Sequence, residues 1–483
     1  MNSILFAHSY FLCLDPKQWQ AANAYPPLGT LYAASLLREN GFRVSLFDSM
    51  LSTSPSSITA YLEQETPSYL VIYDDGFNYL TKMCLTNMRE AAFEMIALAK
   101  QFSCTVIISS SDSTDHADLY LEQKADFVVL GEGEITLLDL IQCLEKNDDP
   151  AVLPGIAFRK EGRTVSTPKR PVLKDLDQLP LPAWDLADIA QYKSIWEKHH
   201  GYFSLNMATT RGCTYKCNWC AKPLFGNRYH ARTPQQVVQE LTLLTQTFGA
   251  EHIWFCDDIF GLKPLWIQEF SRLVQQQGLR FAFKIQSRAD LMVDESTVKA
   301  LAEAGCDMVW LGAESGSQKI LDAMDKGITQ EQIHTSRDLL ARYGIKVGFF
   351  LQFGYPGETE EDIQATVNMV LKTMPDDIGI SVTYPLPGTK LYENVKSQLN
   401  EKTNWTDSDE LAMLFENRHS KAYYKALQRY VHRAYHRQKS VRDLKSLVKD
   451  PLSFTKDTFR NALRSIYLIP REMIAKRNLT ATK

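Results

Sequence analysis

Two successive series of short apolar runs alternating with amphipathic stretches constrain this chain more than any other feature. In the first series Ile4–Phe6, Val44–Phe47, Leu70–Tyr73, Thr105–Ser109 and Phe127–Leu130 read as strands. Between them Leu28–Asn40, Tyr79–Gln101 and Ala117–Gln123 carry the helical period, and Gly41 stops the first of these. Such alternation implies an α/β fold with a parallel, doubly wound, flavodoxin-like sheet. A further helix near Ile135–Leu144 precedes a hairpin of Gly155–Arg159 and Arg163–Ser166 across Lys160–Gly162. Thr167–Asp185, with Pro168, Pro171, Pro180 and Pro182, reads as an extended linker.

The second series places strands at Ser204–Thr209, His252–Phe255, Arg280–Gln286, Met308–Leu311, Lys346–Phe353 and Gly379–Val382. Helical segments such as Pro234–Thr247, Ser296–Ala304 and Thr329–Tyr343 separate them. Six βα units suit a partial (βα)6 TIM-type barrel. From Thr403 onward strand signals stop, and a basic helical C-terminal region is expected. The expected domains are therefore 1–150, a hairpin and Pro-rich linker over 151–195, the part-barrel over 196–400, and the helical region 401–483. A chain of 483 residues is too long for one core, which agrees with several domains. The opening residues lack a basic-then-apolar leader, and no apolar run approaches a membrane span, so a cytoplasmic protein is expected.

An odd number of cysteines, nine, does not suggest a disulfide framework. Cys13, Cys84, Cys104, Cys143, Cys256 and Cys306 stand alone and read as small buried hydrophobes. The other three fall in Arg211-Gly-Cys-Thr-Tyr-Lys-Cys-Asn-Trp-Cys220, directly after a strand. One loop can wrap Cys213, Cys217 and Cys220 around a single centre, and thiolates select iron–sulfur clusters or zinc. Zinc would want a fourth ligand, and His230, ten residues past Cys220, has no ligand-spaced companion. Three thiolates with an open position favour a 4Fe–4S cluster whose fourth iron binds something exchangeable.

This CxxxCxxC pattern, with an aromatic before the last cysteine, resembles the signature of the radical S-adenosylmethionine (SAM) superfamily. The resemblance implies that the open iron chelates SAM, whose C–S bond is cleaved by one electron to give methionine and a 5′-deoxyadenosyl radical. It puts Trp219 near the adenine. Polar groups also recur at carboxyl-terminal strand ends, where barrel ligands bind. Asp257 and Asp258 follow one strand, Gln286 and Arg288 end the next, and Glu314, Ser315 and Gly316 follow another; Gly354-Tyr-Pro-Gly-Glu-Thr359 comes after the fifth. Arg288 can clamp a carboxylate bidentately, and Glu314 with Ser315 can meet the SAM ribose or amine. The competing reading makes Asp257, Asp258, Ser315 and Thr359 helix N-caps. "QSRAD", "GAESGS" and "GYPGETEED" resemble the segments lining the SAM pocket in the superfamily's cobalamin-linked branch, which holds class B methyltransferases and Mg-protoporphyrin cyclases.

The resemblance extends to the first domain. Tyr25-Pro26-Pro-Leu-Gly29, Gly41–Asp48 and Val128–Glu134 look like the cobalamin-binding domain of that branch, with Gly131 and Gly133 permitting close backbone approach. No Asp-x-His-x-x-Gly sequence supplies a cobalt ligand. Ser109–Asp115 stands where many relatives carry glycines; its hydroxyls are candidates for a nucleotide tail, and His116 reads as a capping or solvent-facing residue. The alternative is a vestigial domain that only shapes the substrate cavity. The function implied is cobalamin-dependent methylation of an unactivated carbon or phosphorus of a small molecule, with an electron donor such as flavodoxin or ferredoxin. Oxidative cyclisation or rearrangement, and a non-catalytic iron–sulfur redox protein, are the other readings. The tail from residue 415 has roughly a dozen more basic than acidic residues, with Tyr423, Tyr424, Tyr430, Tyr435, Phe459 and Tyr467 interleaved. Its readings are solvated helix faces, a peripheral membrane contact around Phe459–Ile474, or an anionic substrate or nucleic-acid contact. RNA-methylthiolating relatives carry extra cysteines and a C-terminal β-barrel, neither of which appears, so nucleic acid is not expected.

Overall fold

The computed structural model describes residues 3–83, 85–220, 224–399, 401–449 and 456–482. Its first sheet comprises β1 (Ser3–Ala7), β2 (Arg43–Leu46), β3 (Tyr69–Tyr73), β4 (Thr105–Ser109), β5 (Phe127–Val129), β6 (Ile156–Lys160) and β7 (Arg163–Ser166). The order is β2-β1-β3-β4-β5-β6-β7, parallel through β5 and closed by the antiparallel hairpin β6–β7. The order 2-1-3-4-5 is the flavodoxin-like winding. Every residue of β1 and β3 is buried, because helices cover both faces of a parallel sheet and such strands carry unbroken apolar runs.

The second sheet takes its strands in chain order: β8 (Ser204–Met207), β11 (His252–Phe255), β12 (Ala282–Ser287), β13 (Cys306–Glu314), β14 (Lys346–Phe353) and β15 (Asp377–Val382), all parallel. Between β8 and β11, β9 (Thr210–Arg211) and β10 (His230–Ala231) form a separate two-residue antiparallel ladder. Along β12 the helix-facing Phe283, Ile285 and Ser287 are buried, whereas Ala282, Lys284 and Gln286 on the other face are partly exposed.

Three segments differ from their sequence reading. Residues Tyr79–Gln101 form two helices, Tyr79–Lys82 and Thr86–Gln101, and Cys84 lies outside the described residues. The Ser109–Asp115 loop contains the short helix Ser111–Asp115, with Ser110 and Ser113 in a reciprocal capping box. The proline-rich linker is packed rather than free: Trp184 is 1% exposed, and its Nε1 donates to Glu240 at 3.2 Å. It runs into a helix, Ile189–His200, whose Asp188 side chain accepts from the Gln191 amide and whose end is set by Gly201 at φ 80°. Tyr192 and Trp196, one turn apart, bury that helix; Trp196 Nε1 donates to the Ala24 carbonyl and Tyr192 Oη to Asp48.

The C-terminal region consists of an irregular segment and two helices, Lys421–Lys449 and Lys456–Ala481. Tyr423, Leu427, Val431 and Tyr435, spaced by four, are buried, and Tyr435 Oη bonds the Pro375 and Asp376 carbonyls just before β15. On the second helix Tyr467, Ile469, Met473 and Ile474 are exposed; the Phe459 side chain lies outside what the structure describes. No described helix is long and apolar enough to cross a membrane.

Candidate active site

The cysteine loop is fastened at its base. The Asp257 carboxylate accepts from the Thr209 and Thr210 amides, each at 2.7 Å, and from Thr209 Oγ1 at 2.7 Å. Burial raises the pKa of this carboxyl to about 6 against the pull of those donors. The β9–β10 ladder then pairs Arg211 with His230, so residues 212–229 leave and return at one point. Gly212 has φ 76°, and a Cβ there would run into the Arg228 carbonyl, so only glycine fits this turn. Further along, the Asn218 amide donates to the Met324 carbonyl, its Nδ2 to Ala323, and Tyr355 Oη donates to its Oδ1.

Cys213, Cys217 and Cys220 are partly exposed, whereas Cys104, Cys143, Cys256 and Cys306 are buried. Cys256 Sγ donates to the Met207 carbonyl at 3.2 Å and behaves as a packed thiol; Cys13 is partly exposed. Among the described residues no three Cys, His, Asp or Glu side chains converge on a single ion. A 4Fe–4S cluster does not need them to, because its cysteines bind different irons across a cubane. Cations stand beside the thiols: Arg288 Nη1 is 3.9 Å from Cys217 Sγ, and Lys82, which pairs with Asp258 at 2.6 Å, acts on Cys220. The partly exposed thiols, with cationic groups beside Cys217 and Cys220, fit a site that stabilises thiolates and an anionic cluster.

The other sequence candidates divide. Trp219 lies between two of the cysteines, with its buried Nε1 unpartnered among the described residues. Arg288 is at the mouth, but Nε and Nη2 hold Asp290 at 2.9 and 3.2 Å, and its guanidinium lies 3.6 Å from the centre of the Tyr215 ring. Its bidentate edge is thus taken within the chain, and Nη1 faces the cluster loop. Asp257 is neither an N-cap nor an open ligand, since its carboxylate is committed to Thr209 and Thr210. Ser315 Oγ is buried against Thr366 and the Ser317 amide, which makes it a backbone support. Thr359 does cap a helix, Glu360–Thr373. Gly354, at φ 78°, packs under Tyr424 and Met413, so the C-terminal region covers this loop. Gln286 is partly exposed on the concave face of the second sheet.

The carboxyl edge of the first sheet faces the loop that carries the cysteines across a narrow cleft. Its lining includes Gly76, Ser109, Ser110, Gly131, Gly133 and Leu224. Arg211 bridges the two sides, at 2.5 Å from Glu132 and 2.7 Å from Glu134, and all three are nearly buried. The Arg211 guanidinium also lies over the Tyr32, Phe77 and Phe225 rings. Gly131 has φ 76° and open space at its Cβ apart from the Leu224 carbonyl, which fits close approach of a ligand. Gly133 is small for another reason: its Cβ would strike Ser109 Oγ and Tyr73 Oη, so it serves the domain's own packing. Pro26 is at the sheet-to-sheet contact, its carbonyl accepting from Asn206 Nδ2 at 3.0 Å. The Ser110 and Ser113 hydroxyls are spent on each other's amides and Asp112 on Arg89, so this segment does not offer a row of open hydroxyls. His116 is partly exposed, 3.8 Å from Asp112. Among the described residues that line the cleft there is no histidine.

Residues 207–370 match the family model of the radical SAM superfamily. This segment is a radical SAM domain. The chain is 29% identical to an uncharacterized methyltransferase of Pyrococcus horikoshii over 388 residues, 79% of this chain and 81% of that one. It is 27% identical to the anaerobic magnesium-protoporphyrin IX monomethyl ester cyclase of a Synechocystis strain, over 66% of this chain and 63% of that one. Its fold is shared with TsrM, a radical SAM methyltransferase of Kitasatospora setae solved with cobalamin and a 4Fe–4S cluster (TM-score 0.69, 19% identity, 82% of this chain and 78% of that one). It is shared also with OxsB, a cobalamin-dependent SAM radical enzyme (TM-score 0.76, 18% identity, 99% and 72%).

The radical SAM domain carries groups that sequence reasoning passed over. Lys326 is buried and donates to Glu314 Oε1 at 2.8 Å, with its ammonium 5.9 Å from the Trp219 ring centre. Burial alone would lower its pKa, but Glu314 and Cys217 outweigh that and raise it. Glu314, at φ 55°, is held in a left-handed conformation that few non-glycine residues adopt. A Cβ at Gly312 would collide with this ion pair, so "GAE" reads as room for Lys326 rather than only as a strand end. No local signal marks Lys326, which lies twelve residues beyond its partner.

Proposed function

We propose that this enzyme is a cobalamin-dependent radical SAM methyltransferase acting on an unactivated carbon or phosphorus of a small molecule. The observation that carries the reading is the Arg211 bridge. It ties the residue two before the first cluster cysteine to Glu132 and Glu134, on the loop where a doubly wound sheet takes its ligand. The bridge holds the carboxyl edge of the first sheet against the cysteine loop, which supports a reading with two cofactors face to face. When bound, the cluster at Cys213, Cys217 and Cys220 supplies the electron that cleaves SAM, and cobalamin supplies a methyl carrier. The chain's own contribution is placement: Asp257 and the β9–β10 ladder fix the cysteine loop, Lys326 and Arg288 offset negative charge beside Cys217, and Gly131 admits a ligand to the first sheet. Trp219, Glu314 and Arg288, whose Nη1 contacts Cys217 Sγ, are the groups assigned to SAM in this reading. The electron comes from a donor such as flavodoxin or ferredoxin.

A second reading, oxidative ring closure, draws on the resemblance to the magnesium-protoporphyrin cyclase. Anaerobic turnover with methyl-labelled SAM separates the two, since only methyl transfer puts label into product. We further propose that the basic C-terminal helices, with exposed Tyr467, Met473 and Ile474, touch anionic membrane surfaces; sedimentation with phosphatidylserine vesicles tests this, and no enrichment over neutral vesicles removes it.

A further inference from the structure

The concave face of the second sheet is not filled. Residues facing the outer helices, such as Phe283, Ile285, Val309 and Leu311, are fully buried, whereas Trp254, Lys284, Gln286, Trp310 and Phe350 on the opposite face are partly exposed. A packed barrel interior would show them buried as well; here they stay accessible, as the lining of a chamber would. At its amino end the chamber is plugged from the first domain: Tyr25 Oη bonds Ser204 Oγ at 3.2 Å, and Ser204 Oγ bonds His252 Nδ1 at 2.8 Å, these being the first residues of β8 and β11. At the carboxyl end of this face β13 finishes on Glu314, which is paired with Lys326.

Its walls have a chemical character. Trp310 stacks on Phe350 with centroids 4.7 Å apart and planes at 24°. The indole can lie against the sheet because positions 348 and 379 are glycine: a Cβ at Gly348 would stand 2.5 Å from the ring, and one at Gly379 3.4 Å. The result is a flat aromatic platform. One strand away, Lys284 has its ammonium 5.5 Å from the Tyr25 ring centre and 5.3 Å from that of Trp254. Among the described residues it has no hydrogen bond and no ion pair. Burial lowers its pKa to about 8, so it is still mostly charged at neutral pH. An unpaired cation in an aromatic-walled chamber is incomplete without an anion.

We infer that this chamber holds the substrate, and that the substrate is a flat, largely apolar molecule bound by a carboxylate at Lys284 and stacked on Trp310. Three residues separate Lys284 from the end of β12, so a ligand anchored there extends roughly 10 Å toward the cysteine loop. The inference rests on the methyltransferase reading for its site but is tested without turnover. The probes are 2-naphthoate and its uncharged counterpart 2-naphthamide, measured by equilibrium dialysis against the full chain with its cluster reconstituted. Wild type should bind naphthoate about tenfold more tightly than naphthamide at pH 7. Lys284→Met should erase that preference, Lys284→Arg should keep it, and Trp310→Leu should weaken both probes alike. Iron and corrinoid are assayed on the same samples, so loss of either cofactor is read as failure of the cofactor reading and not of this one. Equal binding of the two probes by wild type, no binding of either, or a preference that survives Lys284→Met overturns the inference.

Discussion

Arg211→Met should loosen the contact between the two sheets more than any other single change at the interface. The side chain is about 5% exposed and serves two nearly buried carboxylates, Glu132 and Glu134. Removing one partner of a buried ion pair leaves the other charge uncompensated, at a cost of about 3–5 kcal/mol. The same substitution forfeits the stacking on Tyr32, Phe77 and Phe225. Urea unfolding of the full chain, followed by tryptophan fluorescence, should show the first transition at a lower midpoint. The effect also has a sign in pH. Burial already lifts the Glu132 pKa above its ordinary value even with Arg211 beside it, and removing the cation lifts it further. A carboxyl whose folded pKa exceeds its unfolded pKa binds its proton more tightly when folded, so the variant's deficit is largest at pH 8 and shrinks as pH falls toward 5.5. Adding Glu132→Gln to Arg211→Met should recover part of the loss at pH 8. A midpoint shift worth less than about 1 kcal/mol, or a deficit that grows as pH falls, would refute the reasoning.

Cys213→Ala, Cys217→Ala and Cys220→Ala should each abolish iron retention and visible absorption, whereas Cys256→Ala, which removes a packed thiol bonded to Met207, should leave both intact. Gly212→Ala forces a Cβ into the Arg228 carbonyl at a positive φ and should cost the cluster while far-UV circular dichroism is unchanged. Gly131→Ala, at φ 76°, should reduce corrinoid retention without loss of iron; Gly133→Ala, whose Cβ meets Ser109 and Tyr73, should instead lower the thermal midpoint whether or not corrinoid is present.

What the sequence made legible follows from locality. Thr105–Ser109, His252–Phe255 and Lys346–Phe353 could be read to the residue, because a strand buried in a parallel sheet is an unbroken apolar run bounded by polar residues. The cysteine loop was legible because its three cysteines lie close together in the sequence. The helix Ile189–His200 was missed: it follows four prolines and shows only Tyr192 and Trp196 as buried anchors, against a polar remainder. Long-range pairs left no trace. Arg211 stands 77 residues from Glu134, and "GEGE" drew attention to its glycines when its two glutamates make the contact. Asp257 reads as a cap or a ligand because it follows a strand, whereas its amide partners, Thr209 just before β9 and Thr210 at its start, lie 48 and 47 residues earlier. The Arg288 fork, which by sequence could clamp a SAM carboxylate, is occupied by Asp290, two residues on.

The central claim is that one chain holds both a SAM-cleaving cluster and a corrinoid. The direct measurement is to reconstitute the protein anaerobically with iron and sulfide, supply hydroxocobalamin, desalt, and assay metal, corrinoid and SAM cleavage on one sample. The account predicts about four iron per chain, about one corrinoid per chain retained at the first sheet's carboxyl edge, and deoxyadenosine on addition of SAM and dithionite. Deoxyadenosine formed by protein that retains no corrinoid would contradict it.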